Sequence, residues 1–126
     1  MTVRRIVANV AAKSVAEVGK FYADLFGLEV VMDHGWIVTL ASGEKAITQL
    51  SVASEGGSGT PVPDISIEVD DVDNVYAKAK AAGHDIAYDI TDEPWGVRRF
   101  YAREPNGAVV NVMMHRPVET SASRPS

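Results

Sequence analysis

The 126-residue chain contains no cysteine, and this absence excludes thiol catalysis, thiolate metal sites and any disulfide framework. No stretch approaches the roughly 18 consecutive apolar residues that a membrane-spanning helix requires. Basic residues are few, since 12 Lys and Arg stand against 17 Asp and Glu and give a net charge of −5, which argues against a nucleic-acid surface. We therefore expect a cytoplasmic protein that binds neither nucleic acid nor a membrane.

Several catalytic motifs are missing as well. The chain has no Ser-His-Asp order and no paired zinc motif, and the glycine-rich stretch 56–59 lacks the Lys and the strand-to-helix setting of a phosphate loop. Apolar residues, in contrast, are plentiful at 46% of the chain. A chain of this size and composition should bury roughly two thirds of its extended surface, so the sequence predicts a single domain with its own core.

The chain nearly repeats itself after 57 residues. Residues 14–18 align with residues 71–75, and each stretch opens a helix that follows a short apolar strand. Ser14 and Glu17 have the spacing of a capping box at the first helix start. An internal repeat of this kind indicates two similar modules, and paired modules enclose a cleft.

Each module is predicted to have the order β-α-β-β-β. The predicted strands are 4–11, 28–32, 35–41 and 46–53 in the first module (3–53) and 64–69, 86–90, 97–103 and 108–115 in the second (62–115), with helices at 15–26 and 72–82. Segment 54–61 links the modules, and we expect it to be flexible and too polar to pack. Residues 116–126 lack periodicity and are predicted to form a disordered tail.

Alternation along the strands indicates which face of the sheet is available to a ligand. In the strand that opens the second module, the apolar residues face the helices, and Asp64 and Glu68 lie on the opposite face. Gln49 and Asn111 take matching positions in the last strands of the two modules, each among apolar neighbours. Such an amide points away from the core, because burying it without partners costs about 1 to 3 kcal/mol.

Aromatic side chains are the second source of candidate ligand contacts. Trp36 and Trp95, with Tyr88, Phe100 and Tyr101, could stack on planar or cationic groups, at about 0.5 to 2 kcal/mol each. Phe100 is predicted to be a core residue instead. Trp95 stands in a Pro-Trp-Gly loop directly before a strand, where it could line the cleft.

The role of Arg99 depends on which face of its strand points into the cleft. An inward Arg99 would suit an anionic ligand. A structural ion pair of the arginines in this strand with Glu104 or Asp92 is the alternative. Asp64 and Glu68 would instead attract a cation, so the sequence leaves the charge of the ligand open.

The sequence resembles the vicinal oxygen chelate superfamily, which includes glyoxalase I, bleomycin-resistance proteins and extradiol dioxygenases. The resemblance covers residues 4–115 and is most specific at 14–27, 64–83 and 93–112. It implies an α+β fold in which two tandem β-α-β-β-β modules form a cupped, partly open, eight-stranded, barrel-like sheet. It also implies a homodimer.

Catalytic members of that superfamily hold a divalent metal with four side chains, and the resemblance places these positions at Val7, Gln49, Asp64 and Asn111. Valine cannot coordinate a metal, and the two amides offer only neutral carbonyl oxygens. Stable transition-metal sites need imidazole or several carboxylates. We therefore expect neither a metal nor another cofactor.

The resemblance then favours a small-molecule-binding protein of the bleomycin-resistance type, which gives antibiotic resistance by sequestering or carrying a planar, partly apolar ligand without metal. Its predicted ligand-binding residues are Trp36, Gln49, Asp64, Glu68, Trp95, Arg99, Tyr101 and Asn111. One alternative is a divergent metal-dependent lyase, isomerase or dioxygenase of the same superfamily. Another is a scaffold that serves only as an interaction module.

Overall fold

The computed structural model describes residues 1–42 and 49–116. In that part of the chain the elements are β1 (Val3–Ala11), α1 (Val15–Phe26), β2 (Glu29–Asp33), β3 (Ile37–Ala41), β4 (Gln49–Ala53), β5 (Ile65–Val69), α2 (Val72–Ala81), β6 (Asp85–Asp92), β7 (Val97–Arg103) and β8 (Val109–His115). The predicted α+β fold, with two β-α-β-β-β modules, is confirmed. Residues 46–48 of the fourth predicted strand and residues 117–126 of the predicted tail lie outside the described residues.

Capping side chains determine where each helix begins. Ser14 Oγ accepts a hydrogen bond from the Glu17 N–H at 3.3 Å, and Asp71 Oδ1 accepts one from the Asn74 N–H at 3.1 Å. Each bond satisfies one of the backbone donors that a helix start leaves without an intrahelical partner. Helix α1 ends at Gly27, whose φ of 67° is left-handed, a conformation that glycine adopts at little cost.

The chain divides into two compact units, and the first comprises residues 5–66. Its strands lie in the order β2-β3-β4-β1, antiparallel except for the parallel pair β4 and β1. Helix α1 covers one face of this sheet, and Gly19 permits a close approach, because a Cβ there would lie 3.3 Å from Val38 Cγ2. The buried core of this face consists of Val15, Val38, Leu40 and Val52.

The second compact unit comprises residues 1–4 and the residues from 67 onward. Its strands lie in the order β5-β8-β7-β6, and β7 is antiparallel to both of its neighbours. The fully buried Phe100 packs with α2, as predicted, and the Tyr76 ring meets it edge-on at 5.2 Å. Neither helix in the described part of the chain is long and apolar enough to cross a membrane.

Segment 54–61 differs from the expectation that it is too polar to pack. The Gly56 N–H donates to the Thr60 carbonyl at 2.7 Å, and the Thr60 N–H and Oγ1 donate to the Gly57 carbonyl at 3.0 and 2.8 Å. Left-handed φ angles at Gly57, Ser58 and Gly59 turn the chain back on itself. Because the backbone groups bond to one another, Gly56, Gly57 and Thr60 can be buried despite the polar composition.

Candidate functional site

In the first unit, the sheet face opposite α1, here called the helix-free face, carries neutral polar side chains. Thr39 and Ser51 are 5% and 4% exposed, and their hydroxyl oxygens lie 2.8 Å apart. Asn9 is the neighbour of Ser51 in the β1–β4 register, and its Nδ2 donates to Ser66 Oγ at 3.0 Å. These contacts form a hydrogen-bonded polar row within the unit.

The first unit does not bring Trp36 and Gln49 together. Gln49 opens β4 opposite Ala41, the last residue of β3, whereas Trp36 precedes the first residue of β3. The Gln49 Oε1 accepts a hydrogen bond from the Arg5 guanidinium. The Trp36 ring stacks on the His34 ring with centroids 6.3 Å apart. The two predicted ligand contacts therefore lie at opposite ends of the β3–β4 pair.

A buried ion pair lies on the helix-free face of the second unit. Arg99 Nε donates to Glu93 Oε2 at 2.7 Å, and the two side chains are 4% and 2% exposed. The Tyr88 hydroxyl donates to the same carboxylate oxygen at 2.9 Å. Arg99 Nη1 also donates to the Tyr101 hydroxyl at 3.0 Å. Charges this deeply buried are tolerated when they are paired and hydrogen-bonded.

Three aromatic rings surround the guanidinium of Arg99. Its Cζ lies 4.9 Å from the ring centroid of Tyr101, 5.0 Å from that of Trp95 and 5.2 Å from that of Tyr88, all within the roughly 6 Å range of cation–π attraction. Tyr101 is buried, and Trp95 and Tyr88 are partly exposed. We call Tyr88, Glu93, Trp95, Arg99 and Tyr101 the arginine cluster.

The core packing determines which face of β7 carries which residues. Because Phe100 packs on the α2 side, alternation places Arg99 and Tyr101 on the helix-free face. Tyr101 is the cross-strand partner of Asn111, which is buried. The structure thus brings four predicted residues together: Trp95, Arg99, Tyr101 and Asn111.

Sequence reasoning missed Glu93 as the partner of Arg99. Asp92, one of the two partners considered, binds Arg98 at 3.1 Å, and the other, Glu104, accepts the Ala108 N–H at 3.0 Å. A usable signal was present, because Glu93 directly precedes the Pro-Trp-Gly turn and its N–H donates to the Val97 carbonyl at 2.7 Å. Pairing opposite Val97 puts Glu93 on the same face as Arg99.

Glu68 and His115 form another contact in the second unit. The distance from His115 Nδ1 to Glu68 Oε2 is 3.1 Å, and the side chains are 54% and 16% exposed, respectively. In β5, Val69 belongs to the core beside α2, so alternation places Glu68 on the helix-free face. In β8, alternation places His115 on the same face as Asn111. Glu68 is therefore on the helix-free face with the cluster residues, as predicted.

The four positions that the resemblance assigns to a metal do not supply a chelating set. Val7 is buried and has no donor atom, and the Gln49 Oε1 already accepts from the cationic Arg5. Asp64 is exposed at a bend before β5, and Asn111 offers a neutral amide. Among residues 1–42 and 49–116, no three His, Asp or Glu side chains are grouped as a metal site would require. These donors do not fit a divalent transition metal.

Solved structures share this fold at low sequence identity. The NAD-dependent benzaldehyde dehydrogenase from Legionella pneumophila has a TM-score of 0.72 and 13% identity, with 88% of this chain and 99% of that chain covered. A methylmalonyl-CoA epimerase variant from Streptomyces coelicolor, in complex with 2-nitronate-propionyl-CoA, has a TM-score of 0.67 and 16% identity, with 92% and 100% covered. A glyoxalase/bleomycin resistance protein/dioxygenase superfamily member from Vibrio splendidus 12B01 has a TM-score of 0.65 and 17% identity, with 90% and 99% covered.

The sequence comparisons define the family. No curated protein matches the chain. A family model matches residues 5–112, which is most of the chain and includes both β-α-β-β-β modules. The chain belongs to the Glyoxalase/Bleomycin resistance protein/Dioxygenase superfamily.

Proposed function

We propose that the protein binds a small, planar, partly apolar molecule without a metal, and that it sequesters or carries this molecule as a cytoplasmic homodimer of the bleomycin-resistance type. The observation that supports the proposal best is the arginine cluster, whose Trp95 and Tyr88 rings are partly exposed on the helix-free face. Aromatic pairs contribute about 0.5 to 1.5 kcal/mol beyond the area that they bury. Rings that Arg99 already holds in place lose little conformational freedom on binding.

The charges in the second unit favour a ligand whose planar part is not anionic. Glu93 neutralises Arg99 at 2.7 Å, and three rings surround the guanidinium. Glu68 adds a carboxylate on the same face, and the whole chain carries a net charge of −5. The proposed ligand therefore combines a planar ring system with a neutral or cationic remainder.

Bleomycin is the first probe for the proposal. Binding at micromolar affinity needs about −8 kcal/mol, which stacking, hydrogen bonds and buried aliphatic surface can supply together. We expect bleomycin, or another member of a panel of planar natural products, to raise the Tm of chelator-treated protein. A ligand that binds only the folded state adds about 2.7 kcal/mol at a hundredfold excess over its Kd. An unchanged Tm with bleomycin and with the whole panel would contradict the proposal.

Replacement of Trp95 tests the proposed binding surface. Trp95→Ala should weaken ligand binding by more than about 1 kcal/mol, or about fivefold in Kd, because a stacking ring is lost. Trp95→Phe should retain most of the affinity. The control is Tyr76→Phe, since Tyr76 packs against Phe100 on the helix side and should leave Kd unchanged. Equal Kd values for Trp95→Ala and the unaltered protein would remove Trp95 from the site.

A metal-dependent lyase, isomerase or dioxygenase is the second candidate function. The observation in its favour is the shared fold with methylmalonyl-CoA epimerase. Metal analysis of protein purified without chelator separates the two functions, and the donor set leads us to expect less than one metal ion per chain. Stoichiometric Ni, Zn, Mn or Fe, together with epimerisation of methylmalonyl-CoA, would overturn the metal-free binding proposal.

A further inference from the structure

We propose that the first unit holds a separate binding site, which takes a small aliphatic carboxylate at the end of its sheet. The basis is a cavity of about 230 Å³ that is lined by Ala11, Ala12, Lys13 and Ser54. All four residues belong to the first unit, whereas the arginine cluster belongs to the second. The inference therefore goes beyond the proposed function and does not depend on it.

The strand topology explains why a cavity opens at this place. Strands β1 and β4 are parallel neighbours, and their last residues, Ala11 and Ala53, are partners in the register. The chain continues from β1 into α1, but from β4 it continues into segment 54–61. In open sheets, ligands bind in the crevice beyond the carboxyl ends of neighbouring parallel strands, at the point where their connections part. The cavity lies at such a point.

Lys13 gives the cavity its charge. Its side chain is exposed, and it is the charged group among the described residues that line the cavity. Within residues 1–42 and 49–116, no carboxylate forms an ion pair with its ammonium group. The ammonium group offers three hydrogen-bond donors and no acceptor, so the cavity favours an anion.

The Ser54 hydroxyl is the second polar group of the lining. Its Oγ lies 3.4 Å from the Trp36 carbonyl oxygen, which makes a weak hydrogen bond. The Ser54 backbone N–H donates to the same carbonyl at 2.9 Å. Because that carbonyl already has a backbone partner, the hydroxyl can rotate and donate to a bound anion instead.

The remaining lining determines the class of anion. The methyl groups of Ala11 and Ala12 offer apolar contact, which suits an anion with a small aliphatic part. The cavity is smaller than the roughly 300 to 1,000 Å³ of pockets that take drug-sized ligands. Two exposed carboxylates, Glu17 and Glu55, lie close in the sequence and should weaken the attraction. We therefore expect a Kd in the millimolar range.

Isobutyrate is the probe, and isobutyramide is its uncharged counterpart of the same shape. At constant ionic strength, isobutyrate should cause saturable NMR shifts of the backbone amides of Ala12, Lys13 and Ser54. The indole N–H signal of Trp95 should not move, since Trp95 belongs to the other unit. Isobutyramide should bind about fivefold more weakly or not at all, because an exposed charge pair contributes at most about this factor.

Replacement of Lys13 tests its role directly. Lys13→Gln should raise the Kd of isobutyrate by about fivefold and should leave that of isobutyramide unchanged. The matched control is Lys20→Gln, because Lys20 is an exposed lysine of the same unit that pairs with Asp24. This control should leave both Kd values unchanged. The NMR spectrum of each variant shows whether it is folded.

Three results would overturn the carboxylate site. The first is the absence of saturable shifts at Ala12, Lys13 and Ser54. The second is an equal Kd for isobutyrate and isobutyramide, and the third is an equal isobutyrate Kd in folded Lys13→Gln and the unaltered protein. Because the effect of bleomycin on Tm is measured separately, each of these results leaves the proposed function standing.

Discussion

The two units place different chemistry at corresponding positions of the same strand pair. On the helix-free face of the first unit, Ala41 faces Gln49 and Thr39 faces Ser51, whereas in the second unit Tyr101 faces Asn111 and Arg99 faces Met113. Two hydroxyls 2.8 Å apart in one unit thus correspond to a guanidinium among three rings in the other. The helix sides, in contrast, are both filled with aliphatic and aromatic residues.

This difference shows where the repeat tolerates change. Packing against a helix restricts a position to apolar residues of suitable volume, and both units obey this restriction. The helix-free face has no such requirement, so its residues can diverge as long as each polar group has a partner. The helix-free faces of the two units should therefore differ in how much stability a broken contact costs. The face of the first unit holds neutral hydroxyls, and that of the second unit holds paired charges.

The largest effect is expected for the charged pair. Glu93→Leu should lower the free energy of unfolding by about 3 to 5 kcal/mol, because the guanidinium of Arg99 would remain buried without its counterion. Urea denaturation followed by circular dichroism measures this change. The double variant Glu93→Leu with Arg99→Met should recover most of the loss, since replacing both partners by apolar groups is often close to neutral. A cost below about 1 kcal/mol for Glu93→Leu would mean that the pair behaves like an exposed one.

A smaller effect is expected for the hydroxyl pair of the first unit. Thr39→Val should lower the free energy of unfolding by about 1 to 3 kcal/mol, because it removes one partner of a buried hydrogen bond. Adding Ser51→Ala should restore part of this loss, since no hydroxyl is then left alone. If Thr39→Val and Glu93→Leu had equal effects in the same urea assay, the proposed difference between the two faces would be wrong.

The elements of the fold could be predicted because their signals are local in the sequence. Ser14 and Asp71 cap the two helices and Gly27 ends the first one. The predicted bounds of α1 are therefore confirmed, and α2 ends one residue earlier than predicted. The predicted bounds of β7 are confirmed as well. Segment 54–61 was misjudged because polar composition does not show that the Thr60 and Gly57 backbone groups bond to each other.

The candidate site could be predicted only in part. Alternation was sufficient to group Arg99 with Tyr101 on one face of β7. It did not show whether that face points toward α2 or away from it, which the packing of Phe100 against α2 decides. The pairing of Arg99 with Glu93 depends on how the β6–β7 hairpin turns, and only Asp92 and Glu104 were considered as partners. Trp36 lies directly before β3 and Gln49 is the first residue of β4. The antiparallel register places them at opposite ends of this strand pair.

The smallest effect is expected at Arg98, the neighbour of Arg99 on the other face of β7. Arg98 binds Asp73 at 2.9 Å and Asp92 at 3.1 Å, but its side chain is 27% exposed and that of Asp73 is 59% exposed. Solvent screens such a pair, so Arg98→Ala should cost at most about 1 kcal/mol in the urea assay. The contrast with the buried pair of Arg99 would then come from burial and not from position along the strand.

The pH dependence of the Arg98 contribution follows from its hydrogen bond to Asp73. That bond holds the pKa of Asp73 below its usual value of 3.8. A carboxyl whose folded-state pKa is lowered stabilises the fold above the unfolded-state pKa and loses this contribution as the pH falls through the folded-state pKa. The stability difference between the unaltered protein and Arg98→Ala should therefore be constant near neutral pH and shrink in acid, which urea titrations across that range can measure. A difference that grew on acidification would show that Asp73 is not the partner that makes Arg98 stabilising.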